Sequence, residues 1–233
     1  MNNIVNYRDF LPENSSRKRE RVEWVQFYSF NAKDDDAPRI LVIGDSISCQ
    51  FKDFLRQELG EKVNLSSWAV SKCVTDLTFI KELDLVLEYN KYDLILFNNG
   101  LHSLSMPPDE WGRAYEKVLD FIAAKLPEVP VTLVLSTPLT SRDKTEKSRM
   151  LNEVVLNISR KKQLPVLDLF SSMDQLDRDK FWIDEYHFTE QASEMQAKQI
   201  AEHVTERLKE AVSAYGKKLI QHGTDTGPDG KIK

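Results

Sequence analysis

A chain of 233 residues with 41% hydrophobic and 30% charged side chains is long and apolar enough for one α/β domain with segments to spare. Its formal net charge of −5, with a single short basic run at 15–21 beside acidic neighbours, argues against nucleic acid as a partner. The two cysteines, Cys49 and Cys73, have no metal-ligand spacing and do not suggest a disulfide framework; no apolar span of about 18 residues and no leader-like N-terminus is present, so the expectation is a cytoplasmic protein that does not engage a membrane.

Residues 1–37 read as an N-terminal arm or extension, polar and irregular except for VEWVQFYSF at 22–30. There, alternation mixed with aromatics predicts an edge strand or a packed arm. NAKDDDAP follows as a solvated loop. In RILVIGDS, Ile40 to Ile43 form a continuous apolar run, the pattern of a strand buried on both faces of a parallel sheet. Gly44 permits a sharp turn, and Ile47, Phe51, Phe54 and Leu55 then share one helical face, with Gly60 as a stop.

Further strands are predicted at KVNLSSWAV (62–70), DLILF (93–97), VTLVL (131–135) and PVLDL (165–169). Helices fall between them. Leu77, Ile80, Leu83 and Leu87 mark one, a second opens at Pro107 and Pro108, and a third carries Leu151, Val154, Val155 and Ile158. A last helix runs from Ala197 to Val212, and a flexible tail is expected over 216–233. Strands alternating with helices predict a three-layer α/β/α sandwich around a five-stranded parallel sheet, flavodoxin-like, spanning 38–215.

On this reading Ser46 sits where a central strand hands over to a helix, at the carboxyl edge of the sheet where open α/β folds bind ligands. A helix N-terminus there favours developing negative charge. The same pattern fits a plain N-cap, with Asp45 as turn chemistry. A serine becomes a nucleophile only with a base to take its proton and a third group to orient the base. Of the four histidines, His222 lies in the tail and His203 inside the last helix. His187 lies in WIDEYHFT on a loop before that helix, with Asp184 three residues upstream. Trp182 and Tyr186 flank the pair as core packing or substrate contacts. Arg142 and Lys144, in the loop STPLTSRDK, are a solvated pair or a site for a substrate's negative group.

IGDSIS near the domain start together with DEYH before the final helix resembles the SGNH (GDSL-type) hydrolase superfamily, from about Ile40 to Val204. The resemblance implies the SGNH hydrolase fold, with Ser46 as nucleophile, His187 as general base and then acid, and Asp184 as its orienter. It also implies an oxyanion hole from the Ser46 N–H and two further blocks. The second block usually offers a glycine N–H; here SSWAVSKCVTD has no glycine, and Ser71 or Lys72 takes the place. The third block is usually Gly-x-Asn-Asp; here NNGLHS leaves either Asn98 or His102 as donor, resembling a variant branch. The Asn98-Asn99-Gly100 run also fits ordinary turn chemistry. Cys49 reads as a buried small residue, and Cys73, beside Lys72, as a thiol that could react.

The implied activity is hydrolysis of a small acyl ester, such as an O-acetyl group on a carbohydrate or related small molecule, without metal or organic cofactor. The expected partner is a small-molecule ester substrate, and self-association is left open. Two alternatives remain: a binding or regulatory module on the same fold, which the missing glycine favours, and an acyltransferase using the same three residues.

Overall fold

Successive residues of β2 (Arg39–Gly44) feed two separate cores: Ile40 and Val42 enter one, Leu41 and Ile43 the other. A strand buried on both faces needs helices on each side of its sheet, which is why its sequence is an unbroken apolar run. β4 (Leu94–Phe97) repeats the arrangement, with Leu94 and Leu96 in the first core and Ile95 and Phe97 in the second. The computed structural model that shows this describes residues 5–13, 17 and 19–223.

β3 (Asn64–Val70), β5 (Val131–Val134) and β6 (Val166–Leu167) complete a parallel set in the order β3-β2-β4-β5-β6. α1 (Ser46–Leu59) and α7 (Glu190–Arg207) cover one face. α2 (Leu77–Tyr89), α3 (Pro108–Lys125) and α4 (Arg142–Lys162) cover the other. The three-layer sandwich is as expected, but the sheet is mixed and has six strands, not five. β1 (Val25–Ser29) adds itself antiparallel to β3, pairing Val25 with Val70 and Ser29 with Ser66. The aromatic stretch before residue 38 is therefore an edge strand of the same sheet, and the N-terminal segment is continuous with the domain it precedes.

Smaller departures have local causes. Two short helices, α5 (Leu169–Asp174) and α6 (Arg178–Phe181), follow β6 where no periodicity marked them. Each starts on an aspartate that accepts a backbone N–H, Asp168 from Ser171 and Asp177 from Asp179. α4 starts at Arg142, so Arg142 and Lys144 belong to a first helical turn and not to a loop. The last helix is broken at Leu208 into α7 and α8 (Lys209–Gly223). The expected tail is thus helical as far as Gly223, while 224–233 lie outside the described residues. No described helix is long and apolar enough to cross a membrane.

The parallel strand order reverses direction between β2 and β4, and in such folds a crevice opens at the carboxyl ends of that pair. Ser46 follows β2 and the Asn98–Gly100 segment follows β4. Gly100 is needed for close approach to the end of β5: a methyl group there would lie 1.9 Å from Ser136 Oγ and 2.9 Å from its Cβ. Overpacking of this kind costs about 1–3 kcal/mol. Gly100→Ala is therefore expected to lower the urea midpoint, with Ser136→Gly recovering part of the loss in the double variant. An unchanged midpoint for Gly100→Ala would show that this loop yields freely.

Candidate active site

Gly44 makes the turn out of β2 possible, since a Cβ there would sit 2.8 Å from Ser48 Oγ and 2.9 Å from its Cβ. Asp45 caps α1 by accepting the Ile47 N–H at 2.9 Å, while Ser48 Oγ donates to the Asp45 carbonyl at 2.6 Å. The cap is therefore Asp45 and not Ser46, which is left as the first helical residue. Its N–H belongs to the helix positions that have no intrahelical partner. Asp45 is fully enclosed, and burial pushes its carboxyl up from the ordinary range.

The second component is a tight loop closed by an antiparallel bridge between Trp182 and Phe188, whose rings pack 4.5 Å apart. Within it, Ile183 N–H donates to the His187 carbonyl at 2.9 Å. Asp184 Oδ1 accepts the N–H groups of Tyr186 and His187, each at 2.8 Å, and its Oδ2 lies 2.8 Å from His187 Nδ1. Partial burial raises the Asp184 pKa, but the bonds from the His187 N–H, its ring and the Tyr186 N–H outweigh this and hold it below the usual value. An ionised carboxylate can only accept, so the hydrogen sits on Nδ1 and the Nε2 lone pair is free to accept. His187 Nε2 lies 2.8 Å from Ser46 Oγ. Ser46, His187 and Asp184 therefore form one continuous hydrogen-bonded line.

Gln50, one turn beyond Ser46 on α1, fixes the two components to each other. Its Nε2 donates to the Phe188 carbonyl and its Oε1 accepts the Phe188 N–H, both at 3.1 Å. Its spacing of four from the serine puts it on the same helix face, a signal that was available in the sequence.

The remaining candidates divide. Ser71 is fully buried and its N–H is already given to the Trp24 carbonyl at 3.2 Å; its Oγ accepts the Trp24 N–H at 2.8 Å and donates to Glu23 at 2.6 Å. It is an anchor for the N-terminal segment and offers no free donor. Among the described residues the neighbouring Lys72 N–H has no acceptor. The Asn98 amide spends both hydrogens at β5, on the Val134 carbonyl at 2.8 Å and Ser136 Oγ at 3.1 Å. His102, by contrast, lines a cavity of about 370 Å³ together with Ser46 and His187. Its Nδ1 lies 2.5 Å from Glu20 Oε1, and its Nε2 is enclosed without a partner among the described residues.

Asn99, read in sequence as turn chemistry, bridges the loops after β3 and β4: its Oδ1 accepts the Val74 N–H at 3.0 Å and its Nδ2 donates to the Lys72 carbonyl at 2.8 Å. Trp182 is core packing, whereas Tyr186 lines the cavity. The Lys144 ammonium is held 2.5 Å from both Glu185 and the Tyr186 hydroxyl, which engages it within the protein. Burial pushes the Cys49 thiol up to about 11 and also raises that of Cys73, so neither is poised as a thiolate.

No family model matches the chain, and no curated protein matches it. Solved structures do. An aryl esterase from M. smegmatis superposes with a TM-score of 0.61 at 18% identity, covering 74% of this chain and 100% of its own. A member of the lipolytic G-D-S-L family from Veillonella parvula gives 0.58 at 17% identity, over 71% and 97%. A family two carbohydrate esterase from Clostridium thermocellum gives 0.57 at 12% identity, over 76% of this chain and 65% of that one. Its fold is that of the SGNH (GDSL-type) hydrolases.

Proposed function

We propose that this protein is a serine esterase that cleaves small acyl esters, with O-acetyl groups on carbohydrates or related small molecules as the favoured substrates. The observation that carries the reading is the line from Asp184 through His187 to Ser46, held at 2.8 Å at each step. A serine hydroxyl in that setting can lose its proton to Nε2 as it attacks an acyl carbonyl. Asp184 keeps the imidazole in the tautomer that accepts and stabilises the imidazolium once formed. The new bond runs from Ser46 Oγ to the acyl carbon; the carbonyl electrons move to oxygen. Collapse expels the alcohol, which takes the proton from His187, and water repeats the sequence on the acyl-enzyme.

The oxyanion needs donors already in place. The Ser46 N–H at the start of α1 is one, aided by the helix dipole. The Lys72 N–H, without an acceptor among the described residues, is the candidate for the role that Ser71 cannot fill. His102 can contribute only in a form that carries a hydrogen on Nε2.

A fluorophosphonate probe is expected to label Ser46 in the wild type and not in His187→Ala, read by mass spectrometry of the modified peptide. Ser46→Ala should lose about 10⁴-fold or more in kcat on a short-chain aryl ester. Turnover near the wild-type level in that variant would end the proposal.

Asp184→Asn should lose about 10²–10⁴-fold in kcat through the wrong tautomer. Because the folded-state pKa of Asp184 is depressed, its share of stability is present above the ordinary aspartate range and lost as pH falls through the depressed value. The melting-temperature gap between wild type and Asp184→Asn should accordingly be open at neutral pH and close in acid; a gap that widens in acid contradicts this.

Gln50→Ala should lower kcat by about 10- to 100-fold with little change in melting temperature, because small misplacements of a base are costly. An unaltered kcat would remove Gln50 from the positioning of His187.

A further inference from the structure

The cavity over Ser46 has walls from four parts of the chain: the turn into α1, the loop after β4 with Leu101 and His102, the loop carrying Tyr186 and His187, and the N-terminal segment, which supplies Glu20 and Trp24. That segment is fastened at three points. The Arg17 side chain, only 1% exposed, donates to the Ser71 carbonyl at 2.7 Å and pairs with Asp76 and, at 3.2 Å, with Glu23. Trp24 exchanges its N–H and carbonyl with the hydroxyl and N–H of Ser71. Glu20 reaches His102 Nδ1 at 2.5 Å and lies 3.9 Å from Arg17. A wall held in this way is ordered before any ligand arrives, which lowers the cost of binding.

We propose that Glu20 and Trp24 form the subsite for the alcohol portion of the ester, and that this alcohol is a neutral, hydroxyl-bearing ring such as a pyranose. The inference rests on the esterase reading and adds to it the residues that would hold the leaving alcohol. Trp24 offers a broad apolar surface with few internal rotors, suited to the C–H face of a saturated ring. Its ring is steadied edge-on by His102, with centroids 6.0 Å apart.

Glu20 supplies acceptors for hydroxyls. Its side chain is 44% exposed, and a carboxylate has more lone pairs than the one used on His102. Glu20 already has His102 Nδ1 at 2.5 Å and, at 3.9 Å, an Arg17 that it shares with Asp76 and Glu23, so its carboxylate is positioned before any substrate binds. A volume of about 370 Å³ lies at the low end of small-molecule sites, about 300–1,000 Å³, which suits an acetyl group on one ring better than a long acyl chain.

The test compares kcat/KM for a monoacetylated methyl glucoside with that for ethyl acetate, which keeps the acyl group and lacks the ring and its hydroxyls. Wild type, Trp24→Ala, Trp24→Phe and Glu20→Gln are measured, each after a melting curve and fluorophosphonate labelling at Ser46. The wild type is expected to favour the sugar ester. Trp24→Ala and Glu20→Gln should each lower the sugar-to-ethyl ratio by about tenfold, mainly through KM, and Trp24→Phe should restore most of it. If Trp24→Ala does not fold, Glu20→Gln still decides the matter through its tenfold loss.

Ratios within about twofold of the wild type in folded Trp24→Ala or Glu20→Gln overturn the subsite, as does a preference of the wild type for acetylcholine over the sugar ester. With Ser46 labelled, such a result removes only the subsite and leaves the nucleophile standing. Absence of labelling in folded wild-type protein removes the esterase reading, and this inference with it.

Discussion

The bond between His187 Nε2 and Ser46 Oγ joins residues 141 apart in the chain. Closing so long a separation to hydrogen-bond distance is entropically expensive, and the contact itself returns little in stability. The geometry is instead maintained by packing elsewhere. α1 and α7 lie together on one face of the sheet and bury Phe51, Leu55, Ala197 and Ile200 in a common core. That places the start of one helix near the loop that leads into the other. Gln50 then removes the remaining slack by gripping the backbone beside His187 from both sides. The hydroxyl and the imidazole meet because two helices do.

What could be read in the sequence was whatever depends on neighbours along the chain. The apolar run of β2, the Gly44 turn and the Asp184–His187 spacing each state a local requirement, and all three appear where expected. Ser71 and Asn98 were harder, because their hydrogen bonds go to Trp24 and to the end of β5, and no spacing rule reaches that far. β1 was ambiguous for a related reason. An exposed edge strand needs only alternation and a free neighbour, and it carries none of the continuous apolar signature of strands buried on both faces. The break at Leu208 was hidden because the apolar spacing carries on through it into α8.

The loop after β3 has no glycine and an ordinary backbone, braced by side chains. Asp76 Oδ2 accepts the Cys73 N–H at 3.0 Å, while Asn99 takes the Val74 N–H and supports the Lys72 carbonyl. Arg17 reaches the same loop from the N-terminal segment. A network of side chains thus ties this loop both to the loop after β4 and to the N-terminal segment.

β1 has a second consequence. Its ladder covers the outer edge of β3, a seven-residue strand buried throughout, while the opposite edge of the sheet is only the two-residue β6. Long bare edges recruit strands from other molecules, and short or covered ones do not. A chain that began at residue 38 would keep every member of the Ser46 line, yet it would present β3 with its N–H and C=O groups open along its length. The segment that borders the cavity also insulates the sheet, so shortening it would trade a change at the site for a template on which copies of the protein could join edge to edge.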